Sequence, residues 1–467
     1  MRVAVGAAGR RSGCLWTLCC TTHFLHSGPA RFGGAAGPDT LVGMNIPDSQ
    51  PFVPVILGGD IGTYTLAREF YEAYGVRSVV LPAAGNGVIE HSVAIELRPI
   101  GSMADEGRVV AALVELADEL KAAADRPLML FGSLDFHIML IAKNREQLEE
   151  QYVIPYPQLE TIEGAALKEN FYALAEKLGI AHPRTAVYYP GTPLDSLVGS
   201  FDYPVIGKPS SSADWIAAKF EGKQKIHTID SRADLEALIS RIDGTGYDSG
   251  YIFQEYIPGG DDAMRLCTYF ATQEEKVIFA GYGEVVIEEH APLVLGNSAA
   301  IVSGRNDAMA ADGARMLEEL GWRGIAMIDA KYDHRDGQIK FFEINPRLGR
   351  NHFYLTAAGV NPARFYVTEF LGAPFDQSNP ETDAVVDTGT GVLQLSRQRL
   401  FTVLPHHLLR RFLDSGTGRK AEALLKAGKV SNPLKFAAEK NPRRKLYLLL
   451  NAANHYRKFK AFPPRTQ

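Results

Sequence analysis

Apolar positions along this chain change period several times, and each change predicts an element. Phe52-Val-Pro-Val-Ile-Leu57 is a short, nearly unbroken apolar run suited to a buried strand. Gly58-Gly-Asp-Ile-Gly62 turns it into a helix from Thr65 to Tyr74, and Ser78 to Leu81 reads as a second strand. Strand, glycine turn, helix and strand in that order predict a parallel sheet. A helix from Arg108 to Ala123, apolar at Val110, Leu113, Leu116 and Leu120, and a strand from Leu128 to Phe131 carry the α/β pattern to about residue 150. The glycines run G-G-x-x-G rather than G-x-G-x-x-G, and Leu81-Pro82-Ala83 stands where a ribose-binding acid belongs. A dinucleotide site is therefore poorly supported.

The pattern then shifts. Lys168 to Leu178 is an amphipathic helix ended by Gly179; Tyr203-Pro-Val-Ile-Gly-Lys208-Pro is a short strand; Arg232 to Ile242 is a helix; and Tyr251 to Glu255 is a strand entering a Pro-Gly turn. Strands over Arg265 to Ala271 and Val277 to Tyr282 predict an antiparallel sheet, followed by a helix from Ala308 to Leu320. Lys208 closes an apolar run, where an ammonium loses hydration unless it meets an anion. Last come Trp322-Arg-Gly-Ile-Ala-Met-Ile-Asp329 and Lys340-Phe-Phe-Glu-Ile-Asn-Pro-Arg347, joined by the hairpin-like His334-Arg-Asp-Gly337. Strand side chains alternate, so Glu343, Asn345 and Arg347 share one face, and the turn brings Asp329 beside Glu343. Hard oxygens of this kind suit Mg²⁺, an ion that bridges protein to substrate phosphates. Taken alone, E-x-N-x-R would read as a solvated hairpin edge; Lys168 would read as a helix-capping charge, and Glu255 and Asp262 as ordinary turn-flanking acids.

Composition narrows the class. The 467 residues have the apolar and charged fractions of a globular protein and allow two to four domains. No apolar run reaches the roughly 20 residues a bilayer span requires; the best candidate, Pro127 to Ile141, is broken by Asp135 and His137. Cys14, Cys19 and Cys20 lie at the start and only Cys267 in the body, which excludes a disulfide framework and a cysteine zinc site. Residues 1–43 are rich in Gly, Ala and Arg, and Thr21, Thr22, His23 and His26 interrupt the apolar stretch a secretory signal needs. They read as a disordered extension or an upstream start, with Met44 opening an ordinary N-terminus. Over 391–467 there are 17 Lys and Arg against three acids, a surplus of fourteen; the whole chain carries −5, so the rest carries −19. This end would attract an anionic partner or balance an acidic body, and its basic, apolar Arg443 to Lys460 stretch suits an interfacial helix or a core cap.

Lys168, Lys208, Gln254-Glu255-Tyr256-Ile257-Pro-Gly, Asp262, Asp329 and Glu343-Ile-Asn345-Pro-Arg347 occur in the order and with the approximate spacing of the ATP-grasp superfamily, and the resemblance covers about residues 52–372. The segments around Lys168 and Lys208 look most like carboxylate–amine ligases, bacterial D-aspartate ligases among them. The resemblance implies an α/β and α+β chain: a Rossmann-like pre-ATP-grasp domain over 44–150, an ATP-grasp domain over 151–375 and a basic C-terminal segment over 376–467. It implies ATP with Mg²⁺, or Mn²⁺, as cofactors. Lys168 and Lys208 would hold phosphates, with Lys208 and Arg347 acting on the transferring phosphoryl group. Glu255 and the backbone of Tyr256 and Ile257 would meet adenine, Asp262 the ribose, and Asp329, Glu343 and Asn345 the metal. Arg350 and Asn351 would lie on the substrate side. The phosphate-covering lid departs from the family: Pro209-Ser-Ser-Ser-Ala-Asp-Trp215 stands where a glycine-rich hairpin is usual.

The expected activity is amide formation through an acyl phosphate, joining an amino acid to an amine-bearing, anionic cell-wall precursor in the cytoplasm, at the inner face of the membrane if the basic end docks there. Rival readings are a carboxylase, which would need biotin on another chain, a purine-pathway ligase, and a scaffold that binds nucleotide without turnover. Tyr447, Tyr456 and Phe459 do not make a nucleic-acid module, and no nucleic-acid partner is expected.

Overall fold

Four parallel strands open the molecule: β1 (Val53–Leu57), β2 (Ser78–Leu81), β3 (Ile95–Leu97) and β4 (Leu128–Gly132), in the spatial order β3-β2-β1-β4. All residues of β1, β2 and β4 are buried, as their unbroken apolar runs require when helices cover both faces. The helix Ile61–Tyr74 starts four residues earlier than its periodicity suggests, because the Asp60 carboxylate accepts the Thr63 N–H at 3.0 Å and caps it. Gly58 sits at φ +131°, and a Cβ there would lie 2.1 Å from Ser133 Oγ. Only glycine lets the ends of β1 and β4 approach so closely.

The computed structural model describes residues 46–464 apart from 199–200, 211–213, 216–217, 225, 293 and 373–381, and the described residues belong to one compact unit. The extension over 1–43 and the centre of the serine lid, 211–213, lie outside the described residues.

A small antiparallel sheet follows, β5 (Thr185–Tyr188), β6 (Val205–Pro209), β7 (His227–Ile229) and β8 (Tyr251–Glu255), in the order β5-β8-β6-β7 and covered by the helix Arg232–Asp243. The third sheet is the largest. Its main path begins with β13 (Gln338–Asn345), β12 (Gly324–Asp333), β9 (Met264–Ala271), β10 (Val277–Glu289) and β11 (Asn297–Gly304), all antiparallel. The hairpin turn falls at 334–337 as expected, with Gly337 at φ +75°. A bulge between Asp329 and Ala330 sets Asp329 directly opposite Glu343.

The basic C-terminal segment is built into the large sheet. Four short strands, β14 (Val385–Asp387), β15 (Leu393–Leu395), β16 (Leu400–Thr402) and β17 (Val430–Ser431), continue the large sheet: β15 pairs β10, β16 pairs β11, and β17 pairs β16. The helix Pro442–Ala461 returns to the first sheet, where Arg444 donates to the backbone carbonyls of Val88 and Glu90. One apolar cluster joins Phe52 and Phe131 of the first sheet to Phe270, Phe279 and Tyr366, and on to Leu395, Phe401 and Leu434. Short strands with few apolar residues gain their stability only by adding to an existing sheet, so periodicity alone leaves them unread.

Candidate active site

The β12–β13 hairpin carries the proposed metal ligands. Asp329 and Glu343 face each other across the ladder, and Asn345 donates its amide N–H to Asp329 Oδ2 at 2.9 Å. Burial and the nearby Glu343 push the Asp329 carboxyl well above the ordinary range; the Asn345 hydrogen bond and Arg347 only partly oppose this. Glu288, at the inner end of β10, is likewise raised to about 8 by burial, by Asp261 and by Asp329, with Lys331 opposing. Asp329 and Glu288 are thus both held above the ordinary carboxylate range, with Glu343 and Asp261 adding negative charge beside them, an arrangement that suits a divalent ion. Among the described residues no three His, Cys, Asp or Glu converge as a complete metal cage. Two carboxylates and an amide match a magnesium ion that keeps water or phosphate oxygens in its remaining positions.

Lys208 enters from the facing small sheet. Its Nζ donates to Tyr172 Oη at 3.0 Å and to Gln254 Oε1 at 3.1 Å, and lies over the rings of Tyr172 and Phe342. It has no ion pair among the described residues, and burial pulls its pKa down to about 8, with the Glu343 charge pulling the other way. Tyr172 in turn donates to the Phe342 carbonyl at 3.0 Å, which ties the helix Lys168–Leu178 to β13. Lys168 opens that helix and is half-buried.

The expected nucleoside-binding segment links the two sheets. Glu255 Oε1 accepts from Lys340 Nζ at 2.8 Å and from the Arg184 N–H at 3.2 Å, and Arg335 lies 3.5 Å from Oε2. Its side chain therefore braces the hairpin through the Lys340, Asp333 and Arg335 network, in which Asp333 is held below the usual carboxylate range, chiefly by Arg335. Tyr256 is exposed beneath Lys331, whose Nζ donates to the Ile257 carbonyl at 2.9 Å. Asp262 follows in a short 3-10 turn, beside Asp261, which accepts from the Glu288 N–H at 2.9 Å and from His290.

Two arginines join the hairpin to the first sheet. Arg347 Nε lies 2.7 Å from Asp135 Oδ1, just beyond β4, and its Nη2 lies 3.5 Å from Asn345 Oδ1. Arg350 Nε lies 3.0 Å from Asp60 Oδ2, just beyond β1. Between these clamps Ser133 Oγ, His137 Nδ1 and Asn351 Oδ1 are buried and have no hydrogen-bond partner among the described residues. Burial lowers His137 to about 4, so its ring is neutral at pH 7. This is the crevice outside the carboxyl ends of parallel strands, where α/β sheets bind ligands. His352 anchors the loop behind it, pairing at 2.9 Å with the buried Glu69, and that contact raises its pKa despite burial.

Asp329, Glu343, Asn345, Arg347 and Lys208 are thus brought together, and Arg350 and Asn351 lie along the same loop; the Glu255 carboxylate faces the hairpin network instead. Tyr172, Glu288, Asp135, Ser133 and His137 are not among the residues to which the sequence assigns a role, and Gln254, though it opens the Gln254-Glu255-Tyr256-Ile257 motif, is given none there. Signals for them exist in the chain: Ser133 and Asp135 follow a strand of a parallel sheet, and Glu288 follows the β-branched run Val285-Val-Ile287 that lengthens β10.

This architecture is the ATP-grasp fold. N5-carboxyaminoimidazole synthetase of Staphylococcus aureus, solved with ADP, superposes with a TM-score of 0.51 at 16% identity over 80% of this chain and 86% of that one. The biotin carboxylase domain of Hydrogenobacter thermophilus 2-oxoglutarate carboxylase, solved with MgADP, ADP and bicarbonate, gives 0.51 at 13% identity over 68% and 69%. No protein-family model matches the chain. In sequence it is 27% identical over 425 residues to the D-aspartate ligase of Enterococcus faecium (strain Aus0004), covering 90% of this chain and 98% of that protein. Over nearly its whole length the chain therefore resembles a D-aspartate ligase, and it has the ATP-grasp fold.

Proposed function

We propose that this protein joins an amino acid of D-aspartate type, through one of its carboxylates, to an amine on a peptidoglycan precursor, with ATP cleaved to ADP and phosphate. The observation that carries the reading is Lys208: a half-buried ammonium whose hydrogen-bond partners are a hydroxyl and an amide, with no ion pair among the described residues and with the Asp329 and Glu343 pair nearby, is arranged for a bound anion next to a metal. A carboxylate is a poor electrophile, so the γ-phosphoryl group passes from ADP oxygen to a carboxylate oxygen. The amine then attacks the carbonyl carbon, phosphate leaves with the C–O electron pair, and the amine's proton passes to solvent. Phosphoryl transfer is largely positioning and charge stabilisation.

In this reading Lys168 and Lys208 hold phosphate oxygens. The backbone of Tyr256 and Ile257, with Glu255 behind them, meets adenine, and Asp262 accepts from the ribose. Asp329, Glu343 and Asn345 would hold Mg²⁺ or Mn²⁺, which neutralises phosphate charge when bound. Arg347, poised by Asp135, meets the reacting carboxylate. Arg350, with Asn351, Ser133 and His137, faces the rest of the amino acid. Two guanidiniums in one crevice fit a substrate with two carboxylates, each guanidinium retaining N–H groups for bidentate contact.

The test is ADP release by the purified protein with ATP and Mg²⁺ across D- and L-amino acids, with and without a muramyl-peptide acceptor. Turnover with one acidic amino acid plus the acceptor, reduced about 10²-fold or more in Glu343→Ala, is the expected result. Turnover that needs no amine, or none with any acidic amino acid despite measurable ATP binding, rejects the assignment.

A further inference from the structure

We propose that the outward face of the C-terminal helix Pro442–Ala461 is a docking surface for a bilayer carrying anionic headgroups. The helix has two distinct sides. Arg444, His455 and Phe459 are buried, and Leu448 packs against the main core, so its inward face and its orientation are fixed. On the opposite side Leu446, Leu449 and Leu450 are 57%, 71% and 62% exposed. Their spacing of i, i+3 and i+4, continued by Ala453, puts them on one stripe, about 10 Å long at the rise of an α-helix. The core on the other side is already complete, so these leucines are not a core that failed to close.

Charge selects the occupant. The helix contains no Asp or Glu. Arg443 and Lys445 flank the stripe at one end and Arg457 and Lys460 at the other; all four are exposed and have no ion pair among the described residues. Lys458, on the inner side, is by contrast directed at Glu289, at 3.7 Å. Tyr456 lies beside the stripe with the Arg411 guanidinium over its ring, and Phe462 is exposed just past its end. An apolar stripe with cations at both ends and an amphipathic aromatic at its edge fits a helix lying in the headgroup plane. A second copy of this chain would be a poor occupant, because a two-fold interface places the same patch against itself and would bring like charges together. No helix among the described residues is long and apolar enough to cross a membrane, which agrees with a helix lying on the surface rather than spanning it. The inference is independent of the ligase reading.

Vesicle flotation of the full chain tests it, using phosphatidylcholine vesicles with and without phosphatidylglycerol. Binding should require phosphatidylglycerol, weaken as salt is raised, and fall about tenfold in Leu449→Ser/Leu450→Ser, with the melting temperature and the ADP-release rate unchanged. Failure to float with phosphatidylglycerol vesicles overturns the proposal. So does flotation undiminished in the double variant. A concentration-dependent dimer that the double variant abolishes, seen by light scattering without lipid, would assign the face to self-association instead.

Discussion

At the residue scale, Lys208 shows how a site reveals itself by what it lacks. An ammonium at the end of a buried strand, hydrogen-bonded only to Tyr172 and Gln254, loses stability that a bound anion would restore. Its folded pKa of about 8 lies below the ordinary lysine value, so from about pH 8 upward the folded protein holds fewer protons than the unfolded chain. Ligand-free stability should therefore rise through that window, while nucleotide affinity falls as the charge is lost. Calorimetric titration with ADP at pH 7 and pH 9 checks the second effect; affinity that strengthens at pH 9 would contradict it. Lys208→Met should lower turnover by about 10²-fold or more without lowering the melting temperature of the ligand-free protein. A sharp fall in melting temperature with retained turnover would make Lys208 structural. The sequence exposed this lysine, and also Asp329, Glu343, Asn345 and Arg347, because strand alternation and apolar context are local properties. It did not show that Tyr172 and Gln254 would meet Lys208, a contact set by neighbours on other elements.

At the element scale, the C-terminal helix is held by a buried charge. Arg444 stacks over Tyr64 at 4.1 Å and pairs with Glu439 at 3.3 Å, and Glu439 also accepts from Ser92 Oγ at 2.7 Å and the Val93 N–H at 3.1 Å. Arg444→Met leaves the Glu439 carboxylate buried without its cation and should cost about 3–5 kcal/mol in urea unfolding. Adding Glu439→Gln should recover part of that loss, since the stranded charge is then gone. A cost below about 1 kcal/mol would mean that water reaches the pair. From the chain, Arg443-Arg-Lys445 reads as a uniformly basic surface, and nothing in composition marks its middle residue as buried. Helix phase marks it only once the packing face is known.

At the scale of the whole molecule, residues 391–467 contribute three strands, counted as β15, β16 and β17, to the large sheet. Removing them should leave β10 and β11 with unpaired edges and should abolish soluble expression; a soluble, cooperatively unfolding truncation would show the segment to be separable. The positive surplus of this end is partly used inside the fold, as Lys420 meets Glu284 at 2.7 Å and Lys458 approaches Glu289. The order of sheets and helices, the β12–β13 hairpin with its turn, and the lysine and acid positions that resemble the ATP-grasp pattern were all legible in the chain. Those are short-range features, written in periodicity and turn residues. Only the tertiary structure decided that Asp135 and Asp60 hold Arg347 and Arg350, that Glu255 braces Lys340, that Glu288 joins the acidic cluster, and that the C-terminal strands complete the sheet. Each depends on contacts between elements distant in the chain, and a local pattern of apolar and polar residues does not say which distant partner will arrive.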